Sequence, residues 1–442
     1  MAGSLATPES LRKLQRKLYH KAKQQEEYRF YTLYDKVYRE DSMAHAYRLC
    51  RANGGAPGVD GQTFADIESQ GLEPWLTELA EEVKAERYRP QPVRRVMIPK
   101  PDGVSERPLG IPTIRDRVVQ TTAKLVLEPI FEADFKDAAY GYRPRRSAIE
   151  AVGKVHQALI EGRTEVLDAD LAGYFDTIPH AELMKCVARR ISDGKMLHLI
   201  NMWLKSPVEE TDDRGRKRYT GGKKATKGTP QGGVISPLLA NIYMHRYIKA
   251  FYEHGLDKRY GAVLVNYADD FVVLCRHGAR EIHAITKAWM KEIGLTLNED
   301  KTRVLNAHSG EFDFLGYTFK SLYWKPTGSR YLGVEPSKKA VKRLKQNVYN
   351  LLRPGNTEPW GEVVEELNRK LGGWNNYFCY GTLTRVRREV DYYVLNRVRH
   401  FHKRRSKLSG RGTRRFSEEK LFGEMGVLSS RNGPRRRYAH AL

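Results

Sequence analysis

Two adjacent carboxylates, Asp269 and Asp270, lie in Tyr267-Ala268-Asp269-Asp270 between apolar runs at 262–265 and 271–274. Short β-rich runs on either side of a tight polar turn predict a hairpin. Such turns favour Asn-Gly or Asp-Gly, which reach positive φ cheaply. Asp-Asp instead crowds like charge where burial already disfavours ionisation. An exposed acidic turn is one explanation. The other is a bound divalent cation that takes oxygen ligands, and Mg²⁺ suits it.

A second acidic cluster stands upstream, in Val166-Leu167-Asp168-Ala169-Asp170-Leu171-Ala172-Gly173-Tyr174-Phe175-Asp176. Residues 166–171 read as a strand with one face buried, and Asp170 stands at its end. Alone, Asp170 would be a helix cap or a surface strand end. If this strand lies beside the 263–274 hairpin, Asp170, Asp269 and Asp270 converge. Two metal ions about 3.5–4 Å apart on such a set clamp the attacking and leaving oxygens of an in-line phosphoryl displacement. Together the two clusters point to nucleotidyl transfer.

Other segments must position these groups. Gly228-Thr229-Pro230-Gln231-Gly232-Gly233 is a loop whose glycines let backbone approach something closely. Residues 234–247 follow at helical spacing and should pack under the sheet. Gln231, at the loop's centre, either faces solvent or hydrogen-bonds a nucleotide or template backbone. Arg94-Arg95-Val96-Met97-Ile98-Pro99-Lys100-Pro101-Asp102-Gly103, then Arg107-Pro108-Leu109-Gly110-Ile111-Pro112, predicts a strand, a Pro-Asp-Gly turn and a return strand carrying cations. A helix is expected over 279–293, and residues 208–227 read as a polar insertion between helices. Farther on, 338–352, 367–380 and 385–403 predict three helices with basic faces.

Lys and Arg total 77 against 53 Asp and Glu, a net charge of +24. That excess is an electrostatic footprint for a polyanion. Residues 331–442 hold 25 Lys and Arg against 10 Asp and Glu, so the last quarter carries most of it. No apolar stretch is long enough to span a bilayer, and the N-terminus lacks the apolar core of a secretory signal. Cys50, Cys186, Cys275 and Cys379 are isolated, so neither a disulfide framework nor a zinc site is indicated.

These blocks resemble the catalytic blocks of reverse transcriptases, in particular those encoded by bacterial group II introns. The specific pieces are Tyr267-Ala268-Asp269-Asp270 and the segment from Gly228-Thr229-Pro230-Gln231-Gly232-Gly233 through Asn241-Ile242. Gly294-Leu295-Thr296-Leu297-Asn298 and Phe314-Leu315-Gly316-Tyr317 follow in the expected order. The resemblance runs from about Gly58 to the C-terminal tail. It implies an α+β, right-hand polymerase: fingers, an antiparallel-sheet palm and a three-helix thumb, with a helical N-terminal extension. It assigns 1–62 to an RNA-binding extension, 63–328 to fingers and palm, and 329–408 to a thumb and maturase domain. Residues 409–442 become a basic tail that could bind DNA; by its Arg, Gly and Ser content the stretch Arg404 to Arg437 is either a solvated arm or a segment that folds on RNA.

The same resemblance implies RNA-directed DNA polymerisation on two Mg²⁺ ions, with Mn²⁺ as a substitute, held by Asp170, Asp269 and Asp270. Phe175, otherwise a core aromatic, becomes a gate under the nucleotide's sugar that blocks a 2′-hydroxyl. Ala172 and Tyr174 depart from the common family wording without touching that ligand or gate. Lys100 and Arg107 resemble the pair that contacts the triphosphate, where charge-assisted donors are needed. Lys301 resembles a lysine that donates a proton to departing pyrophosphate, and Gln231 is placed near the nucleotide.

Arg94, Arg95, Lys403 and Arg404 are candidates for contact with RNA or template. Leu371-Gly372-Gly373-Trp374-Asn375-Asn376-Tyr377-Phe378 resembles the maturase segment and is either a helix-packing core or a platform for unpaired bases. Implied partners are group II intron RNA, a DNA primer or target and deoxynucleoside triphosphates, with no membrane and a homodimer allowed for. The implied setting is the bacterial cytoplasm, at the nucleoid. Related proteins add a C-terminal nuclease with paired cysteines, which is not expected here. Two other readings stay open: a domesticated enzyme of CRISPR spacer acquisition, phage defence or DNA repair, and an RNA-binding splicing factor without catalysis.

Overall fold

The computed structural model describes residues 5–99, 106–212, 214–324, 326–407 and 412–436. In chain order the strands are β1 (Val93–Pro99), β2 (Glu106–Ile111), β3 (Glu165–Asp170), β4 (Pro207–Thr211), β5 (Lys217–Gly221) and β6 (Val263–Tyr267). They continue with β7 (Asp270–Cys275), β8 (Arg303–Asn306), β9 (Phe312–Phe314), β10 (Tyr317–Tyr323) and β11 (Arg330–Pro336). Among the described residues they form three sheets, ordered β6-β7-β3-β8, β2-β1-β4-β5 and β11-β10-β9.

The central sheet, β6-β7-β3-β8, is antiparallel throughout. Leu167, Ala169, Leu264, Phe271 and Val273 join a core with helices Ser236–Glu253 and Ala279–Glu292. Val166, Val265, Val272 and Leu274 join a second core with helix Ala148–Ile160 and the C-terminal helices. The single buried face expected for 166–171 is therefore two. Successive strand side chains point to opposite faces, and here both faces are covered, so the strands read as nearly continuous apolar runs. The helix expected over 279–293 spans Ala279–Glu292.

The outer sheet pairs β1 with β2 antiparallel and β1 with β4 parallel. Residues 208–227 lie between helices Gly194–Leu204 and Ser236–Glu253, and most of the described ones form the β4–β5 hairpin that widens this sheet. Their polarity follows from solvation, since β5 is exposed along its whole length. Strands without apolar alternation give no strand signal.

The small sheet turns at Leu315-Gly316, both at positive φ, which suits a two-residue hairpin. It leads into helices Lys338–Leu351, Trp360–Tyr377 and Thr384–Arg405. In the Trp374 segment, Leu371, Trp374 and Phe378 are buried, so it is a packing core. Tyr377 stays partly exposed and donates to the Leu315 carbonyl at 2.9 Å, while the Tyr317 hydroxyl donates to the Tyr377 carbonyl at 2.6 Å.

Residues 412–436 return onto these helices, with Phe416, Leu421 and Val427 in the core. Buried Asp391 accepts from Ser429 Oγ (2.6 Å), Ser430 N (2.6 Å) and Arg431 Nε (3.0 Å). Arg387, fully buried, donates to the carbonyls of Gly433 (2.8 Å) and Pro434 (2.6 Å). Over this stretch the tail is docked rather than a free arm. At the other end, helices Glu9–Gln24 and Glu40–Asn53 pack on helix Ile114–Glu132.

Candidate active site

Register builds the site. β3 pairs with β7 so that Asp170 lies opposite Asp270. β6 and β7 close on the pair Tyr267 and Asp270, leaving Ala268 and Asp269 as the turn. Ala268 is buried and has φ 60, a left-handed conformation that costs an alanine energy.

The turn is held from behind by residues that carry no charge. Asn266, 1% exposed, donates from Nδ2 to the Ala268 carbonyl at 2.9 Å. Its backbone bonds Ala138 and Tyr140, which brings the 138–142 segment under the turn. A Cβ on Gly141 would lie 2.6 Å from the Ala268 nitrogen, so only glycine allows this approach. Asn241 Nδ2 fixes the Gly141 carbonyl at 2.8 Å. Asn241, Gly141 and Asn266 escape a reading based on charge. Their signals, a buried amide within a strand and a glycine between two tyrosines, are too common to single out.

Burial raises the Asp270 pKa well above the usual carboxylate range, and the charges of Asp269 and Asp170 add to it. Asp269 is raised chiefly by burial and further by Asp170, while Arg107 and Lys301 pull it back. Burial also pushes Asp168 up to about 6 despite a 3.1 Å ion pair with Arg303. Lys301 Nζ sits 2.8 Å from Asp170 Oδ2, and Asn298 Nδ2 lies 3.2 Å from the same oxygen. The Asp170 contact in turn raises the Lys301 pKa. The 294–298 block lies alongside, with Leu297 bridged to Leu171.

Among the described residues, no three His, Cys, Asp or Glu side chains are already gathered as a cation cage. The donor chemistry nonetheless fits a hard divalent ion. Oxygen ligands, burial and mutual repulsion of carboxylates all favour added positive charge.

Around this set, Gln231 Nε2 donates to Asp176 Oδ2 at 2.9 Å, and the Gly110 nitrogen donates to the Gln231 carbonyl at 2.5 Å. What the glycine loop approaches is β2: a Cβ on Gly232 would lie 2.1 Å from the Gly110 carbonyl oxygen. Phe175 is half-buried in the short helix Tyr174–Thr177, five residues beyond Asp170, and its carbonyl accepts from Thr229 N at 2.6 Å. Arg107 is exposed on β2 and acts on Asp269 through space.

Lys100 lies outside the described residues. Arg94 donates to the Pro57 carbonyl at 2.7 Å, tying down the 53–58 linker, and Arg95 is ion-paired with Glu210 of β4. Lys403 and Arg404 sit at the far end of helix Thr384–Arg405, and neither has a carboxylate partner among the described residues. Among those residues no helix is long and apolar enough to cross a membrane.

Residues 98–319 match the family described as reverse transcriptase (RNA-dependent DNA polymerase), and residues 341–417 match the group II intron maturase-specific domain. Protein YkfC of Escherichia coli (strain K12) is 36% identical over 341 residues, covering 69% of this chain and 87% of that protein. The group II intron-encoded protein LtrA of Lactococcus lactis is 36% identical over 217 residues, 49% of this chain and 34% of that protein. The match thus spans most of YkfC but about a third of LtrA. A telomerase from Candida albicans, solved with a fragment of telomeric RNA, aligns with 82% of this chain and 68% of that chain at 15% identity and TM-score 0.44.

The architecture is that of a right-hand polymerase, with the central sheet as palm, the outer sheet as fingers and the C-terminal helices as thumb. The chain belongs to the group II intron-type reverse transcriptases, RNA-directed DNA polymerases that carry a maturase domain. Enzymes of this family use divalent metal ions, and nucleic acid, RNA included, is their partner.

Proposed function

We propose that Asp170, Asp269 and Asp270 are the catalytic carboxylates, and that the chain copies group II intron RNA into DNA and assists that RNA's splicing and mobility. The observation that carries the reading is the strand register that sets Asp170 opposite Asp270, with Asp269 in the adjoining turn. Two Mg²⁺ ions, replaceable by Mn²⁺ and held by Asp170 and Asp269 with Asp270 in support, would activate a primer 3′-hydroxyl and neutralise charge on a deoxynucleoside triphosphate. Phe175 lies under the sugar and excludes a 2′-hydroxyl, while Gln231 shapes the pocket. Lys100 and Arg107 steady the triphosphate, and Lys301 holds a proton where pyrophosphate leaves.

Asp269→Ala should abolish primer extension on an RNA template while RNA affinity stays near wild type. Extension at close to the wild-type rate would overturn the assignment. For splicing, the observation is the positive charge of Lys403 and Arg404 at the thumb's end, with no carboxylate partner among the described residues, suited to an RNA backbone. Reversing both charges should slow intron splicing and leave polymerisation in place. Unchanged splicing would remove that surface from the maturase role.

A further inference from the structure

Tyr142 stands at the edge of the site. It follows Gly141, the glycine that passes against the catalytic turn, and it is 50% exposed. Its backbone is left-handed, φ 58, a conformation a bulky residue rarely adopts. The flanking chain enforces it: Asn241 holds the Gly141 carbonyl, and Arg143 is locked by Glu132 at 2.9 Å and by the Lys136 and Ala139 carbonyls. Strain kept in place this firmly clusters at functional sites.

The side chain points somewhere specific. Its ring stands edge-on to Phe175, with centroids 6.3 Å apart and planes at 80°. Burial raises the Tyr142 pKa, with Asp269 and Tyr267 adding and Arg107 opposing, so the phenol faces the same groups that surround the catalytic turn. Phe175 also touches Tyr174 at 5.6 Å. Tyr174 is buried and anchored by its hydroxyl to the Ala240 carbonyl at 2.6 Å, so that contact cannot yield. Tyr142, half exposed, is the ring contact on its solvent side among the described residues. A steric gate discriminates only while its ring cannot tilt away from the group it excludes.

We propose that Tyr142 is a positioning residue for sugar discrimination, its ring edge bracing Phe175 against a nucleotide's 2′-hydroxyl. This deepens the nucleotide reading of Phe175 and rests on it.

The test is single-nucleotide incorporation on an RNA template, comparing a deoxynucleotide and a ribonucleotide of the same base in four proteins: wild type, Tyr142→Asn, Tyr142→Phe and Phe175→Val. Asparagine tolerates left-handed backbone, so Tyr142→Asn removes the ring without adding strain. It should lower the deoxy-to-ribo ratio of kcat/KM by about tenfold, the scale of a modest packing change in a pocket. The drop should come from a rise for the ribonucleotide. Tyr142→Phe should keep the wild-type ratio, because the ring and not the hydroxyl braces the gate.

An unchanged ratio in Tyr142→Asn, or an equal loss for both nucleotides, overturns the proposal. So does a Tyr142→Phe variant that behaves like Tyr142→Asn. An unchanged ratio in Phe175→Val overturns the underlying pocket reading instead, which separates the two failures.

Discussion

Palm and fingers are both four-stranded sheets, yet the chain builds them by opposite rules. In β7 every residue after Asp270 is buried, and its side chains feed two cores. In the fingers, β5 is wholly exposed, and Met97 and Ile98 near the hairpin tip remain about half exposed. The palm spends its apolar residues on holding three like charges together against their repulsion. The fingers carry cations on a lightly packed sheet. Tight packing is concentrated where the carboxylates are.

Substitutions can break that contrast. The largest effect is expected from Leu274→Ala, which removes a fully buried side chain from the palm. It should reduce the opening free energy of β7, read by amide hydrogen exchange, by about 3 kcal/mol. A loss below about 1 kcal/mol would mean the palm is less tightly packed than its burial implies.

Next comes a pH effect on the helix behind the palm. Burial, and then the charges of Lys136, Lys249, Arg143 and Arg189, lower the pKa of His245 to about 4. In the unfolded chain it titrates near 6.5, so between these values the unfolded state binds more protons. The stability tied to neutral His245 is therefore complete above pH 6.5 and is lost as pH falls toward 4. From pH 7 to pH 5, urea unfolding of the wild type should lose about 2 kcal/mol more than that of His245→Gln. Equal pH slopes would disprove it.

The smallest effect is expected in the fingers. Arg218→Ala on β5 should change the protection of that strand by less than about 0.5 kcal/mol, as for an exposed surface site. A larger loss would erase the distinction between the sheets.

How legible this was depends on the kind of residue. Asp269-Asp270 announced itself, because adjacent carboxylates between apolar strands conflict with what a turn prefers. Asp170 became legible beside them, and the glycine loop could be read as a close approach without saying to what. The fingers hairpin β1–β2 was visible in the sequence, where Pro-Asp-Gly separates two cationic runs; the strands pair as expected, and Pro-Asp-Gly itself lies outside the described residues. Pro-Val-Glu-Glu-Thr and Lys-Arg-Tyr-Thr-Gly gave no strand signal, since their partners, not their polarity, make them strands. The second buried face of β3 was hidden because it depends on helix Ala148–Ile160 and the C-terminal helices, whose place over the sheet strand periodicity does not reveal. Gly141, Asn241 and Asn266 act through distances that composition does not encode.

The docking of residues 412–436 bears on how the protein comes to exist. Arg387 and Asp391 are buried by groups that a ribosome adds about forty residues later. Until those residues emerge, a guanidinium and a carboxylate lie bare on a half-made helix layer. Since chains fold from the N-terminus at roughly 5–20 residues per second of synthesis, the polymerase module can be assembled seconds before the thumb closes. A nascent chain therefore passes through an interval with this helix layer unfinished, and elongation speed through residues 412–436 sets how long that interval lasts.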